Sequence, residues 1–268
     1  MTELTFDEDE WEKPTEQMSN DEYHSSSALG ASNLKDILKN PYAFARGFRM
    51  KQTQAMVIGS AVHCKVLEPH LFDQEYALKD KKSLGDALGG FGKTKLSADE
   101  YETVKKCTET IKEHVNMFFQ NGVAEQAFFS EINGIAVKCK PDYYIESIGL
   151  VVDLKVVADA SPDGFAKAVA KFGYYLQEAH YRSVLKSCGK PVDKFLFVAI
   201  EKEAPYMIGL YTLNPTDVLL GEEHIAKAMD IYKRIDQYKK PIYTDPTDST
   251  QLIQVLTMPT WVHYQYNQ

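Results

Sequence analysis

The stretch Lys140–Lys155, which reads KPDYYIESIGLVVDLK, decides how this chain of 268 residues folds. Asp142 closes one predicted strand, and the apolar strand that follows ends in Asp153, Leu154 and Lys155. Because side chains alternate along a strand, Asp153 and Lys155 share one face while Leu154 points to the other. Two carboxylates and one ammonium group should therefore meet at one end of a sheet. That arrangement can hold Mg²⁺ and direct a water at a phosphodiester.

The residues around this motif separate it from a chance match. An Asp-x-Lys on a strand is common, and it is usually a solvated face or a cross-strand ion pair. Here the apolar runs 150–152 and 156–157 flank the motif, which is typical of a central, buried strand. Charges on a buried strand are costly unless they are paired or bound to a metal. The context therefore favours a functional site.

The rest of the chain predicts an α/β domain with a central mixed β-sheet flanked by helices, because strands and helices alternate after one hairpin. Asn133-Gly134 indicates a type I′ turn between strands at 128–129 and 135–144. Two more strands are predicted at 195–200 and 207–213, and residues 79–98 are predicted to form a mobile loop. The predicted helices cover 32–38, 56–67, 98–121, the region from Ser161 to an interruption at Gly173, 174–188, and 222–238.

Composition limits the class of protein. The hydrophobic content of 44% supports a sizeable core, no apolar run is long enough to span a membrane, and the first residues do not resemble a signal peptide. The four cysteines are scattered without a Cys-x-x-Cys pair, so neither a zinc site, a disulfide framework nor an iron–sulfur cluster is expected. A reduced cytoplasm is the simplest compartment.

The net charge of −8 belongs to one end of the chain. Residues 1–22 contain nine acidic side chains and one lysine, and this segment is predicted to be a disordered tail. Residues 23–268 are predicted to form a single domain, with equal numbers of acidic and basic side chains. Contacts with nucleic acid would therefore depend on local clusters, such as Arg46, Arg49 and Lys51.

Further polar residues acquire meaning from their order. Taken alone, a histidine on a helix is usually a satisfied core residue, and an exposed Glu, Gln or Tyr needs no special role. Together the motifs run Gly59-x-x-x-His63, Glu125, Pro141-Asp142, Asp153-x-Lys155 and Gln177-x-x-x-Tyr181. This order resembles the PD-(D/E)xK nuclease superfamily, in the branch with RecB-type nuclease domains and lambda exonuclease. It is most similar to RecE-type exonucleases, the exodeoxyribonuclease VIII nuclease domains. The likeness extends to segments 20–24, 34–41, 59–69, 139–142 and 258–261.

The resemblance implies a 5′-to-3′ exonuclease that acts on the ends of double-stranded DNA and leaves a 3′ single strand. The partner would be a RecT-like single-strand annealing protein, and the assembly a ring, tetrameric for this type. A bacterial or phage-encoded cytoplasmic protein is expected. Two alternatives remain open: an endonuclease or junction resolvase of the same superfamily, and a DNA-binding recombination scaffold that does not cleave.

The resemblance also implies a metal site. His63, Asp142 and Asp153 would ligate Mg²⁺, and the backbone carbonyl of Leu154 would be a further ligand. Lys155 would orient the attacking water and help to deprotonate it. Because histidine is a less typical ligand for Mg²⁺, Mn²⁺ is expected to substitute.

Three more residues receive roles from the same resemblance. Glu125 would lie near a second metal ion. Gln177 and Tyr181 would steady the scissile strand or the lysine.

Ser32, in Gly30-Ala31-Ser32, resembles a segment of lambda exonuclease that recognises the 5′ end. The arginine expected nearby is missing, since Arg46 is the first arginine of the chain.

Overall fold

The structure is a computed structural model, and it describes residues 18–48, 53–79, 93–243, 250 and 253–259. Within these ranges the α-helices are α1 Asn20–Ser25, α2 Ala31–Lys39, α3 Pro41–Ala45, α4 Gln54–Leu67, α5 Pro69–Glu75, α6 Ala98–His114, α7 Pro162–Phe172, α8 Tyr174–Ser187 and α9 Pro215–Lys233. The strands are β1 Tyr76–Leu78, β2 Thr94–Leu96, β3 Val123–Ala124, β4 Phe128–Ile132, β5 Ile135–Cys139, β6 Tyr143–Ile145, β7 Leu150–Val157, β8 Lys194–Glu201 and β9 Ile208–Tyr211.

A five-stranded mixed sheet forms the centre of the fold, in the order β3-β6-β7-β8-β9. β7 and β8 pair in parallel, while the other neighbours in this sheet are antiparallel. The parallel pair is connected through α7 and α8, as such a pair requires a helical crossover. The predicted α/β class with a mixed sheet flanked by helices is confirmed.

Both faces of β7 are buried, which confirms the prediction of a central strand. On one face Val151 packs in a core formed with α2, α8 and α9. On the other face Val152 and Leu154 pack in a second core formed with α4 and α6. Asp153 and Lys155 thus lie on the α8 side of the sheet and the Leu154 side chain on the α4 side, as the alternation predicts.

The predicted turns and helix ends are confirmed where a specific residue dictates them. Asn133 and Gly134 have φ values of 54° and 75°, as a type I′ turn between β4 and β5 needs. The Ser161 side chain caps the start of α7, where Pro162 is the first helical residue. Gly173 ends α7 in the left-handed region with φ of 66°.

The second arm of the hairpin is shorter than predicted. β5 ends at Cys139, and the pairing of Tyr143–Ile145 with β7 places those residues in the central sheet. Asp142 therefore does not close β5; it directly precedes β6. The reason is Pro141, which lacks the N–H that a continuing ladder needs.

Several other boundaries were predicted wrongly. α1 begins at Asn20, inside the range 1–22 assigned to the tail, because Ser19 and Glu22 form a capping box. β2 lies inside the segment 79–98 that was predicted to be a loop. This strand is stabilised by pairing with β1, and its own three residues show no strand pattern in the sequence. Residues 1–17 and 80–92 lie outside the described ranges.

The long helices also differ at their ends. α6 stops at His114, and residues 116–119 continue as a 3₁₀ turn, so the predicted helix to residue 121 is too long. α9 begins at Pro215, seven residues before the predicted start, because Asn214 caps it. None of the helices in the described residues is both long and apolar enough to cross a membrane.

Candidate metal-dependent active site

One large cleft of about 990 Å³ lies between the N-terminal helices and the Asp142 end of the sheet. Residues from α1, α2, α4, α8 and the two segments before β4 and β6 contribute to its walls. Six of the predicted site residues line it: Ser32, His63, Glu125, Asp142, Gln177 and Tyr181. The fold therefore brings together residues that are separated by up to 149 positions in the sequence.

Asp142 lies at the centre of this group. Its Oδ2 accepts a hydrogen bond of 2.7 Å from the Leu154 backbone N–H, which ties it to the middle of β7. His63 Nδ1 lies 3.5 Å from the same oxygen. The Asp142 backbone carbonyl accepts from the Glu125 N–H at 3.1 Å, so the segment that follows β3 is fixed to it.

Glu125 turns into the cleft through an unusual backbone conformation. Its φ of 52° lies in the left-handed region, which a glutamate rarely adopts. Such conformations persist where the surroundings hold them, and they concentrate at functional sites. Here the hydrogen bond to the Asp142 carbonyl holds the turn and brings the Glu125 carboxylate beside Asp142.

His63, Glu125 and Asp142 have the donor set of a divalent cation site. One ligand atom from each lies within 4.8 Å of the other two. The pKa of His63 is lowered by burial and then by the Lys155 charge, so its imidazole is neutral and able to ligate. Burial raises the pKa values of Glu125 and Asp142, and a bound cation would relieve that cost. The residues present fit a cation such as Mg²⁺ or Mn²⁺.

Asp153 lies behind this group, without exposed surface. Its Oδ2 forms an ion pair with Lys155, and its Oδ1 accepts from the Gln177 amide at 2.6 Å. Burial raises the pKa of Asp153 to about 6, although the Lys155 charge opposes that effect. His63, Glu125 and Asp142 thus form the compact group of three, and Asp153, the third ligand predicted from the sequence, lies adjacent and is paired with Lys155 as Glu125 is with Lys140.

Lys155 is held as an ammonium group. Burial acts to lower its pKa, but the carboxylates of Asp153 and Asp142 outweigh burial and raise it. The Lys155 Nζ also lies 5.0 Å from the centre of the Tyr174 ring. A lysine with a raised pKa can orient a water or stabilise a phosphate, but it is a poor proton acceptor. The predicted help of Lys155 in deprotonating the water stays a prediction.

Gln177 and Tyr181 lie one turn apart on α8 and both reach the site, as their spacing predicts. Gln177 contacts the Asp153 carboxylate rather than the lysine. The Tyr181 hydroxyl donates to the Lys140 carbonyl at 3.2 Å and so supports the segment that leads to Asp142. Both residues hold other parts of the site in place.

The Leu154 backbone contacts two members of the cleft group, and its predicted role as a carbonyl ligand of the metal stays a prediction. Its N–H donates to Asp142, and its backbone also hydrogen-bonds with the His63 imidazole. The Leu154 side chain is fully buried in the α4 core. β7 thereby positions two members of the cleft group.

Lys140 is the main site residue that the sequence left without a role. Its Nζ lies 2.7 Å from Glu125 Oε2 and donates to the Asn20 side chain at 2.5 Å. The sequence indicated that Lys140 shares a face with Asp142, because Lys138, Lys140 and Asp142 stand at alternate positions. Nothing in that pattern identifies Glu125 or Asn20 as the partners of Lys140.

Lys35 on α2 is a second residue of the cleft to which the sequence analysis gave no role. Its Nζ donates to the Phe172 carbonyl at 3.0 Å, and it lines the cleft. Burial and then the nearby Lys155 charge lower the pKa of Lys35 to about 8. This places a third lysine near the Asp153–Lys155 pair.

Two of the four residues predicted to contact DNA, Ser32 and Arg46, lie within the described ranges. Ser32 is exposed in the first turn of α2 and lines the cleft, while Gly30 is the N-cap. Arg46 is exposed at the end of α3, with its guanidinium 5.6 Å from the centre of the Tyr42 ring. Arg49 and Lys51 lie outside the described residues.

Two solved structures align with this chain. A candidate exonuclease from Eubacterium rectale matches with a TM-score of 0.63 at 18% identity, over 94% of this chain and 98% of its own. A phage-related exonuclease from Haemophilus somnus has 15% identity over 81% of this chain and 99% of its own, with a TM-score of 0.38 that is too low to carry an argument. At such identities the first likeness shows the fold alone.

The family is shown by sequence. No curated protein matches the chain. A family profile described as "PDDEXK-like domain of unknown function (DUF3799)" matches residues 30–252, a range that includes His63, Glu125, Asp142 and Asp153. Since this match covers most of the chain, the resemblance to the PD-(D/E)xK nuclease superfamily is confirmed, and the chain belongs to its PDDEXK-like DUF3799 family.

Proposed function

We propose that this protein is a divalent-metal-dependent, RecE-type exonuclease that degrades one strand of double-stranded DNA in the 5′-to-3′ direction. The observation that carries the proposal is the meeting of His63, Glu125 and Asp142 in one cleft, directly in front of the Asp153–Lys155 pair. Oxygen and imidazole ligands beside a fixed ammonium group are suited to hydrolysis of a phosphodiester.

The residues divide the work by their positions. His63, Glu125 and Asp142 are the cleft ligands, and Asp153 joins them when Lys155 releases one of its oxygens. A bound Mg²⁺ or Mn²⁺ would lower the pKa of a water and offset the charge of the phosphate. Lys155 donates hydrogen bonds to the water or the phosphate, and Gln177 keeps the Asp153 carboxylate in one orientation.

The product would be a 3′ single strand for a RecT-like annealing protein in a bacterial or phage recombination pathway. Such a pathway implies DNA as the partner and the cytoplasm as the compartment. Ser32 and Arg46, together with Arg49 and Lys51, are proposed to contact DNA.

The assembly is proposed to be a ring, tetrameric as in RecE-type relatives. Processive degradation requires that the protein does not dissociate from DNA between cleavage steps, and a closed ring around the DNA prevents dissociation. Exposed aliphatic side chains near the C-terminus are consistent with a contact between subunits, since Ile253, Val255 and Leu256 are 87%, 96% and 91% exposed. Light scattering should give about four times the chain mass of 30.4 kDa. A monomer that remains processive would contradict the ring.

The function is tested with linear and closed circular duplexes in Mg²⁺, alongside Asp153→Asn as the inactive control. An exonuclease degrades the linear form and spares the circle, whereas an endonuclease or resolvase cuts the circle or a branched substrate. A scaffold spares both. Early release of label from 5′-labelled ends, with delayed release from 3′-labelled ends, is expected; the reverse order would exclude the proposed polarity.

A further inference from the structure

Lys140 places an ammonium group inside the candidate cleft. Its Nζ lies 2.7 Å from Glu125 Oε2, and the two side chains are only 8% and 15% exposed. The family resemblance assigns Glu125 to a second metal ion. One of the two carboxylate oxygens of Glu125 is already paired with a cation of the protein itself.

Contacts from two other elements hold this lysine in place. Asn20 of α1 accepts from its Nζ at 2.5 Å, and the Tyr23 ring centre lies 5.5 Å from the same atom. Tyr181 of α8 donates to its backbone carbonyl at 3.2 Å. A lysine fixed at both its backbone and its head group differs from a mobile surface lysine, whose ion pair contributes little.

The local charge balance agrees with a protein cation at this position. The carboxylates of Glu125, Asp142 and Asp153 contribute three negative charges, and Lys140 and Lys155 contribute two positive charges, to which the nearby Lys35 adds. One divalent ion would already leave this group with a positive excess. A second ion would add a larger positive excess before any phosphate is bound, which is unfavourable at low exposure.

We propose that Lys140 acts as the resident second cation of this site, so that the protein binds one divalent ion tightly and not two. The inference rests on the proposed metal-dependent function and refines it. Lys140 is a positioning residue: it fixes Glu125 and supplies a positive charge beside the cleft. Because the charge is covalently attached, it remains at any metal concentration.

The test is the number of Mn²⁺ ions bound by the full-length protein, measured by calorimetry and by electron paramagnetic resonance at pH 8. Wild type should bind one ion tightly. Lys140→Met keeps the length of the side chain but removes the charge, so a second ion should bind at least about tenfold more tightly than in wild type, by the loss of one close repulsion. Lys140→Arg should behave as wild type does.

Lys138→Met is the matched control. Lys138 is also a buried lysine, two residues away, but its Nζ donates to the backbone carbonyls of Tyr23 and Ser26. Its replacement should lower stability without changing the number of ions. A purely structural role for Lys140 would give the same result as this control, with unchanged stoichiometry, and would overturn the inference.

The outcomes also separate the inference from the proposed function. Two tightly bound ions in wild type would overturn the role of Lys140 while leaving a metal-dependent nuclease intact. No bound ion in wild type would overturn the proposed function itself. If circular dichroism shows that Lys140→Met does not fold, Lys140→Gln replaces it, because the amide can still bond to Glu125. If neither variant folds, the wild-type stoichiometry decides.

Discussion

Two carboxylate–lysine pairs lie near Asp142, and they are built differently. Asp153 and Lys155 are two residues apart on β7, so the strand itself places them together. Glu125 and Lys140 are separated by the β4–β5 hairpin and meet through irregular segments. A carboxylate–lysine ion pair can therefore form between residues that are close in the sequence or between residues that only the tertiary fold brings together. Only a pair of the first kind can be predicted from the sequence.

The two pairs also differ in their support. Asp153 has no exposed surface, and its second oxygen is held by Gln177 from α8. Glu125 and Lys155 have similar exposed fractions, 15% and 13%, and Lys140 depends on Asn20 from the short helix α1. A pair fixed by one strand and supported by a long helix suits a direct part in catalysis. A pair held by irregular segments suits charge balance beside the cleft.

The largest effect on the rate of DNA cleavage should appear when the lysine of the β7 pair, Lys155, loses its charge. Lys155→Met is expected to lower the rate of DNA cleavage roughly 10²–10³-fold, because a fixed donor to the reacting group is lost. Cleavage of a labelled linear duplex measures it, with Mn²⁺ binding as the control that the ligands survive. Equal activity of Lys155→Met and wild type would remove the distinction between the pairs.

A smaller loss should follow when the support of the strand pair is removed. Gln177→Ala frees Asp153 Oδ1, and outer residues of this kind typically contribute about 10–100-fold to affinity or activity. Tyr181→Phe removes only a bond to a backbone carbonyl and serves as the comparison, with an expected loss of about tenfold or less. A greater effect in Tyr181→Phe than in Gln177→Ala would show that the segment before Asp142 matters more.

The raised pKa of Asp153 predicts a dependence on pH. Burial raises this pKa from the usual 3.8 to about 6, so the carboxyl gains a proton as the pH falls through about 6. A protonated carboxyl cannot ligate, and metal ions compete with protons for it. Activity should therefore fall below pH about 6 at low Mn²⁺, and the midpoint should move to lower pH as Mn²⁺ is raised. If the pH midpoint of activity does not change with the Mn²⁺ concentration, the titrating group is not a metal ligand.

The smallest effect concerns the N-terminus and distinguishes the tail from α1. Deletion of residues 1–17, which the sequence predicts to be part of a disordered tail, should change the free energy of unfolding by less than about 0.5 kcal/mol. Deletion of residues 1–26 removes the partners of Lys138 and Lys140 and should cost about 1–3 kcal/mol or more. Urea unfolding measures both. Equal stability of the two truncated proteins would show that α1 does not support the Glu125–Lys140 pair.

Local signals account for the parts of the fold that were predicted correctly. The central strand, the Asn133-Gly134 turn and the Ser161-Pro162 helix start each depend on neighbouring residues. The misplaced elements depend on distant partners: β2 exists because it pairs with β1, and β6 because it pairs with β7. A short strand without its partner carries too little pattern to be recognised.

The sequence by itself determined the α/β class, the Asp153-x-Lys155 strand and the four-residue spacing that places Gln177 and Tyr181 on one side of α8. These follow from periodicity, because strands repeat every two residues and helices every 3.6. The tertiary structure alone decided that Glu125 joins His63 and Asp142, that Lys140 neutralises it, and that α1 belongs to the domain. Such contacts join segments far apart in the chain, and their energy comes from desolvation and charge in a cleft that exists only after folding.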